Sequence, residues 1–138
     1  MQELPDKNTL LLNFSCCQNW EDKYLYIIEL GYCLPKLNKT QKNNKNIILG
    51  CQSNVWIYME KQLDETIFFT GDSDALIVKG LVAIVIILFQ GKTVKQIISQ
   101  DIQCYFKQLS LEKHLTPSRS QGLSAILHNI LTRINTLI

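Results

Sequence analysis

The chain has 138 residues, enough for one domain with a core of its own. Hydrophobic residues make up 46% and charged residues 19%, a balance that excludes a disordered chain. With 14 basic against 12 acidic side chains the net charge is only +2, too even for a dedicated nucleic-acid binder.

Two helices are expected first. Leu4, Leu11, Leu12 and Phe14 supply a short apolar face. Asn19 is placed to cap a second helix over Trp20 to Leu34, with Trp20, Tyr24, Ile27, Ile28 and Leu34 at helical spacing. Glu21 and Asp22 suit its amino-terminal end, Gly31 loosens its last turn, and Pro35 closes it. Residues 35–46 carry four lysines among polar residues, without arginine, and read as a solvated loop.

Ile47 to Leu49, Asn54 to Lys61 and Glu65 to Thr70 read as strands, with Gln62-Leu63-Asp64 as a hairpin connection. Together they predict a small antiparallel sheet. Thr70-Gly71-Asp72-Ser73-Asp74 reads as a turn with Ser73 as helix cap. Ala75 to Phe89 is apolar apart from Lys79. Its length favours a helix over a strand, and Gly80 permits close packing. Thr93 and Gln96 have capping-box spacing, and Asp101 to Gln108 is another short helix. Thr116-Pro117 breaks the pattern. Ser118 and Gln121 then open a final helix with Leu123, Ile126, Leu127, Ile130, Leu131, Ile134 and Leu137 inward. The order is helices, sheet, helices: an α+β two-layer fold, a single domain over 1–138.

The thiols are Cys16, Cys17, Cys33, Cys51 and Cys104. An odd number and no signal-peptide pattern point to free thiols in a reducing cytoplasm. No apolar run reaches membrane-spanning length. Cys51 stands out, set beside Gly50 at the mouth of a strand and followed by Gln52, Ser53 and Asn54, small groups rich in hydrogen bonds. Catalytic partners are few. His114 and His128 are read as ordinary polar residues, and Asp72 and Asp74 as turn or cap residues rather than an acid pair. No CxxC pair, Walker loop or Rossmann fingerprint occurs, so neither a metal nor a cofactor is expected on this chain. One accessible thiol without a base suits a carrier, because thiol exchange needs access and thiolate rather than a triad.

Three segments carry a family resemblance. Gly50-Cys51-Gln52-Ser53-Asn54-Val55-Trp56, Gly71-Asp72-Ser73-Asp74-Ala75 and His114-Leu115-Thr116-Pro117-Ser118-Arg119-Ser120-Gln121-Gly122, together with the Asn19–Gly31 run, closely resemble the SufE cysteine-desulfuration proteins. The resemblance implies a SufE/IscU-like fold and a carrier that is not autonomously catalytic. It implies that Cys51 takes sulfane sulfur from a pyridoxal-phosphate cysteine desulfurase, SufS, stimulates it, and passes sulfur to a SufBCD scaffold for iron–sulfur assembly. The pyridoxal phosphate belongs to the partner, and a homodimer is the family expectation. Gly50, Gln52, Ser53, Asp74 and Arg119 are the candidate loop-support or partner-contact residues. Arg119 either clamps a partner carboxylate or pairs with Asp72 or Asp74. Cys17, or Cys16, is a weaker candidate for resolving chemistry. The alternatives are an IscU-like cluster scaffold and a non-covalent interaction module.

Overall fold

Apolar periodicity and capping chemistry account for most of the elements in the computed structural model, which describes residues 3–48 and 53–137. Helix α1 spans Lys7–Cys16, its first turn closed by the Asp6 carboxylate accepting from the Thr9 N–H at 2.8 Å. It buries Leu10 and Phe14, while Leu12 is exposed. Of the expected face, Leu4, Leu11 and Phe14 pack on the core, and Leu12 is the one that does not. Helix α2, Trp20–Tyr32, is capped by Asn19, whose side-chain oxygen accepts from the Asp22 N–H at 2.9 Å.

Strands β1 (Val55–Lys61) and β2 (Ile67–Ser73) pair antiparallel, from Val55 opposite Ser73 to Lys61 opposite Ile67. The expected third strand reduces to one bridge, Ile47 with Trp56; Leu49 lies outside the described residues. The expected turn at Thr70–Asp74 is instead strand as far as Ser73. Gly71 makes this possible, because a Cβ there would collide with the Trp56 carbonyl, Ile57 and Val82. Only a residue without a side chain lets β2 press this closely on β1 and on the helix behind.

That helix, α3 (Leu76–Phe89), is the centre of the core: every residue from Gly80 to Phe89 is buried. Its N-cap is Ala75, with no side-chain cap bond, and Ser73 only accepts from the Ala75 N–H at 3.3 Å. Gly80 lies against the backbone of Ile27, and Gly31 against Lys79 and Gly80. Gly31 thus serves helix contact rather than a loosened last turn. Past the end of α3, the Gln90 amide bonds both the N–H and the C=O of Phe69, at 2.8 and 3.0 Å, completing the edge of β2.

Helix α4 (Val94–Ser99) opens with the expected Thr93–Gln96 capping box, and α5 (Ile102–Gln108) is capped by Asp101. A further short helix, α6 (Leu111–His114), was not expected. Helix α7 (Pro117–Ile134) is capped by Thr116, whose hydroxyl accepts from the Arg119 N–H at 3.3 Å; Ser118 is already inside the first turn. Leu123, Ile126, Leu127, Ile130 and Ile134 face inward, whereas Leu131 is exposed. A short 3₁₀ turn, Asn135–Leu137, follows. The result is a small α+β fold, a two-stranded antiparallel ribbon among the described residues, covered by helices from both ends of the chain.

Candidate functional site

Cys51, Gly50 and Gln52 lie outside the described residues, but the chain on both sides of them is held in place. Ahead of them, the Ile48 N–H donates to the Val55 carbonyl at 2.8 Å, and Asn46 accepts from the Ile57 N–H at 2.8 Å. After them, the Asn54 N–H donates to the Asp74 carboxylate at 3.2 Å, and the Asp74 N–H donates back to the Asn54 carbonyl at 3.3 Å. Asp74 therefore extends the ribbon by one polar clasp beyond the Val55–Ser73 pair.

Beside that clasp a cleft of about 360 Å³ opens between the first turns of α3 and α7. Its floor is apolar, from Ile77, Leu81, Leu123 and Ile126. Its polar rim is Ser53, Thr116, Ser118 and Arg119. Ser53 is the second residue after Cys51. Two of the sequence candidates, Ser53 and Arg119, are thus brought to one cleft, and Asp74 sits in the strand-to-helix junction next to it. A larger cleft of about 990 Å³ lies elsewhere, between the amino-terminal segment and Phe68, Ile87 and Lys92.

Arg119 pairs with neither Asp72 nor Asp74; among the described residues it makes no ion pair. Its guanidinium lies 5.8 Å from the centre of the Tyr24 ring, a cation–π contact that orients it while leaving it without a carboxylate. Asp72 is engaged by two ammonium groups instead, Lys42 at 2.7 Å and Lys79 at 3.3 Å. Partial burial works against its charge. The hydrogen bond from Lys42, the Ser73 N–H and the two lysine charges outweigh it, holding the carboxyl below its usual range. The two aspartates therefore do separate structural work.

His114, at the end of α6, stacks on Trp20 with ring centres 4.4 Å apart and an interplanar angle of 16°. His128 is exposed on α7. Cys16 and Cys104 are exposed, and Cys17 and Cys33 half-buried, all as free thiols. Burial first, then the charge of Asp22, pushes the Cys17 thiol up, and its Sγ donates to the Asn13 carbonyl at 3.5 Å. Cys33 donates to the Glu29 carbonyl in the same way, at 3.5 Å. Among the described residues no three His, Cys, Asp or Glu side chains converge on a metal position, and no helix is long and apolar enough to cross a membrane.

Two tethers of the site region escaped the sequence reading. Lys42, although exposed, is tied to both strands, and Arg133 reaches from α7 to the Ile57 carbonyl. The Thr116 cap was legible: a threonine directly before a proline is an N-cap followed by its favoured first helical residue.

A helix-covered ribbon with a half-apolar cleft at one end, lined by an uncommitted arginine, defines a small α+β domain that offers a site at its edge. Comparison with protein-family models matches residues 8–134 to SufE, the Fe-S metabolism associated domain, and the chain belongs to that family. Its members are carriers rather than autonomous catalysts, consistent with sulfur transfer.

Proposed function

We propose that the chain, as a single domain over residues 1–138, accepts sulfur on Cys51 from a cysteine desulfurase of the SufS type. The family match over residues 8–134, which includes Cys51, carries the reading. In the exchange, the Cys51 thiolate attacks the outer sulfur of the partner's cysteine persulfide. The partner's S–S bond breaks, its thiolate leaves, and Cys51 carries the new S–S bond as a persulfide. No net oxidation occurs, so neither oxidant nor metal is consumed.

The described residues around Cys51 suit this task. The paired flanks, Ile48 with Val55 and Asn54 with Asp74, give the thiol-bearing segment two firm ends. The apolar floor of the cleft disfavours water, which protects a persulfide, and the Arg119 guanidinium favours a nearby anion, whether the reacting thiolate or a partner carboxylate. In the sequence Gly50 adds no side chain beside the thiol, and Gln52 adds an amide that can hydrogen-bond. Sulfur then passes to a SufBCD scaffold in the cytoplasm. The pyridoxal phosphate stays with the desulfurase, and the carrier works as a homodimer.

The test is incubation with the cognate desulfurase and cysteine, without reductant, followed by intact and peptide mass spectrometry. Added sulfur on Cys51, dependent on both partner and cysteine, supports the carrier. An active desulfurase that leaves Cys51 unlabelled overturns it. Iron bound through several ligands would instead favour a cluster scaffold, and tight binding that survives Cys51→Ala without sulfur transfer a non-covalent module.

A further inference from the structure

Arg133 is half-buried and, among the described residues, pairs with no carboxylate. Its Nη1 donates to the Ile57 carbonyl at 2.9 Å and to Asn129 Oδ1 at 3.2 Å, and its Nη2 donates to Asn46 Oδ1 at 2.9 Å. A guanidinium has five N–H donors, and three are used. Among the described residues Nε donates to nothing and Nη2 makes a single bond, and the Nε–Nη2 side is one through which a guanidinium can grip an oxyanion in a bidentate way. All three acceptors are neutral, so the cation is held in place without being neutralised. Burial lowers the Arg133 pKa, and no neighbouring charge acts to restore it.

Arg133 lines an open cleft of about 700 Å³ between the carboxyl-terminal half of α7 and the turn at residues 44–47. Lys45 and His128 stand on its rim with Thr132 and Asn129, and neither Asp nor Glu is among its lining residues. The Asn129 carbonyl oxygen is taken by Arg133, and its Nδ2 makes no intramolecular bond among the described residues. The cleft therefore presents an excess of donors and positive charge. Its floor, from Ile47 and Ala125, is apolar. Apolar walls with a few convergent polar groups are the usual composition of a small-molecule site.

We propose that this cleft binds an organic phosphate monoester, with the phosphate on the free edge of Arg133 between Lys45 and His128, and the organic group on Ile47 and Ala125. The site draws on α7 from Ala125 to Arg133, whereas the Arg119 cleft draws on its amino-terminal turns as far as Ile126, and occupancy of the former does not depend on Cys51 chemistry. A bound ligand joins α7 to the turn that leads into the thiol-bearing segment.

The experiment is a titration of the full chain with phenyl phosphate, inorganic phosphate and phenol at constant ionic strength, followed by amide chemical shifts. Phenyl phosphate should give saturable shifts at Lys45, Asn129, Thr132 and Arg133, at lower concentration than inorganic phosphate, with phenol inert. Lys45→Gln and His128→Gln, both at exposed positions, should each weaken binding about threefold, the scale of one exposed polar contact. Thermal stabilisation by phenyl phosphate should follow the same order. Shifts that do not saturate, that phenol reproduces, or that neither variant weakens would overturn the site. Equal affinity for phenyl and inorganic phosphate would overturn the ester assignment.

Discussion

Lys42 and Asp72 meet at 2.7 Å, and the same ammonium lies 5.0 Å from the centre of the Trp56 ring. Trp56 and Asp72 are partners across the ribbon, so one lysine from the 35–46 loop is fastened to both strands at once. Lys79 holds the other carboxylate oxygen from α3 at 3.3 Å. Loop, ribbon and core helix share this one acid.

Replacing Asp72 by Asn should therefore reduce both stability and its dependence on acid. The folded-state pKa of Asp72 lies below its unfolded value, so the unfolded chain takes up the proton first as pH falls. The contribution is complete above the unfolded carboxyl range near pH ~4 and is lost as pH drops through the folded value. With the acid largely covered but Lys42 well exposed, it amounts to about 1 kcal/mol after solvent screening. Urea unfolding at pH 7 and in the acid range checks this. The variant should be weaker at pH 7 and converge on the parent in acid, whereas parallel losses would show that Asp72 contributes nothing.

Gly80→Ala should be among the most damaging small substitutions in the chain. A methyl group there would meet the carbonyl and side chain of Ile27, both buried, and neither is a flexible tip that can swing away. Separating α2 from α3 to make room disturbs the packing on which the core depends, at a cost of about 3 kcal/mol. Thermal unfolding should show a fall of many degrees. A change within a degree of the parent would mean that the two helices are not pressed together here.

The parts of this fold that the sequence makes legible are those in which local chemistry and packing agree. Asn19 and Thr93 cap the helices they precede, because a side-chain oxygen at those positions satisfies an orphan N–H whatever surrounds it. Local pattern misleads where a distant contact decides. Gly71, Asp72 and Ser73 are turn-forming residues by composition, but the carbonyl of Trp56 and the lysines at 42 and 79 keep them in β2. Leu12 and Leu131 continue an apolar pattern on faces that find nothing to pack against. At the site, Ser53, Asp74 and Arg119 could be nominated from sequence. Their separation into a clasp and a cleft rim depends on α3 and α7 converging, which no local pattern encodes.

Cys17 should be a slow thiol. Burial and the Asp22 carboxylate raise its pKa, so a smaller fraction is thiolate at any given pH. Alkylation at pH 8, followed by peptide mass spectrometry, should proceed more slowly at Cys17 than at an unstructured cysteine peptide. The rate should keep rising as pH climbs beyond the ordinary thiol range. A rate equal to that of the peptide would restore Cys17 as a candidate for exchange with Cys51.

Arg119→Ala separates the fold from the proposed chemistry. The side chain makes no ion pair among the described residues, and its ring contact with Tyr24 is a surface-scale interaction of about 0.5–1 kcal/mol. The melting temperature should fall by only a few degrees. Sulfur acceptance is a different matter, because the guanidinium is the cationic group on the rim shared with Ser53. Loss of one charge-assisted contact should lower the efficiency of Cys51 persulfidation about tenfold, with Arg119→Lys recovering part of the charge but not the fork. If the alanine variant is sulfurated as fast as the parent, the cleft plays no part in transfer. If it melts many degrees lower, the arginine is a structural clamp between α7 and α2. Persulfidation rates and melting curves on the same three proteins distinguish these outcomes.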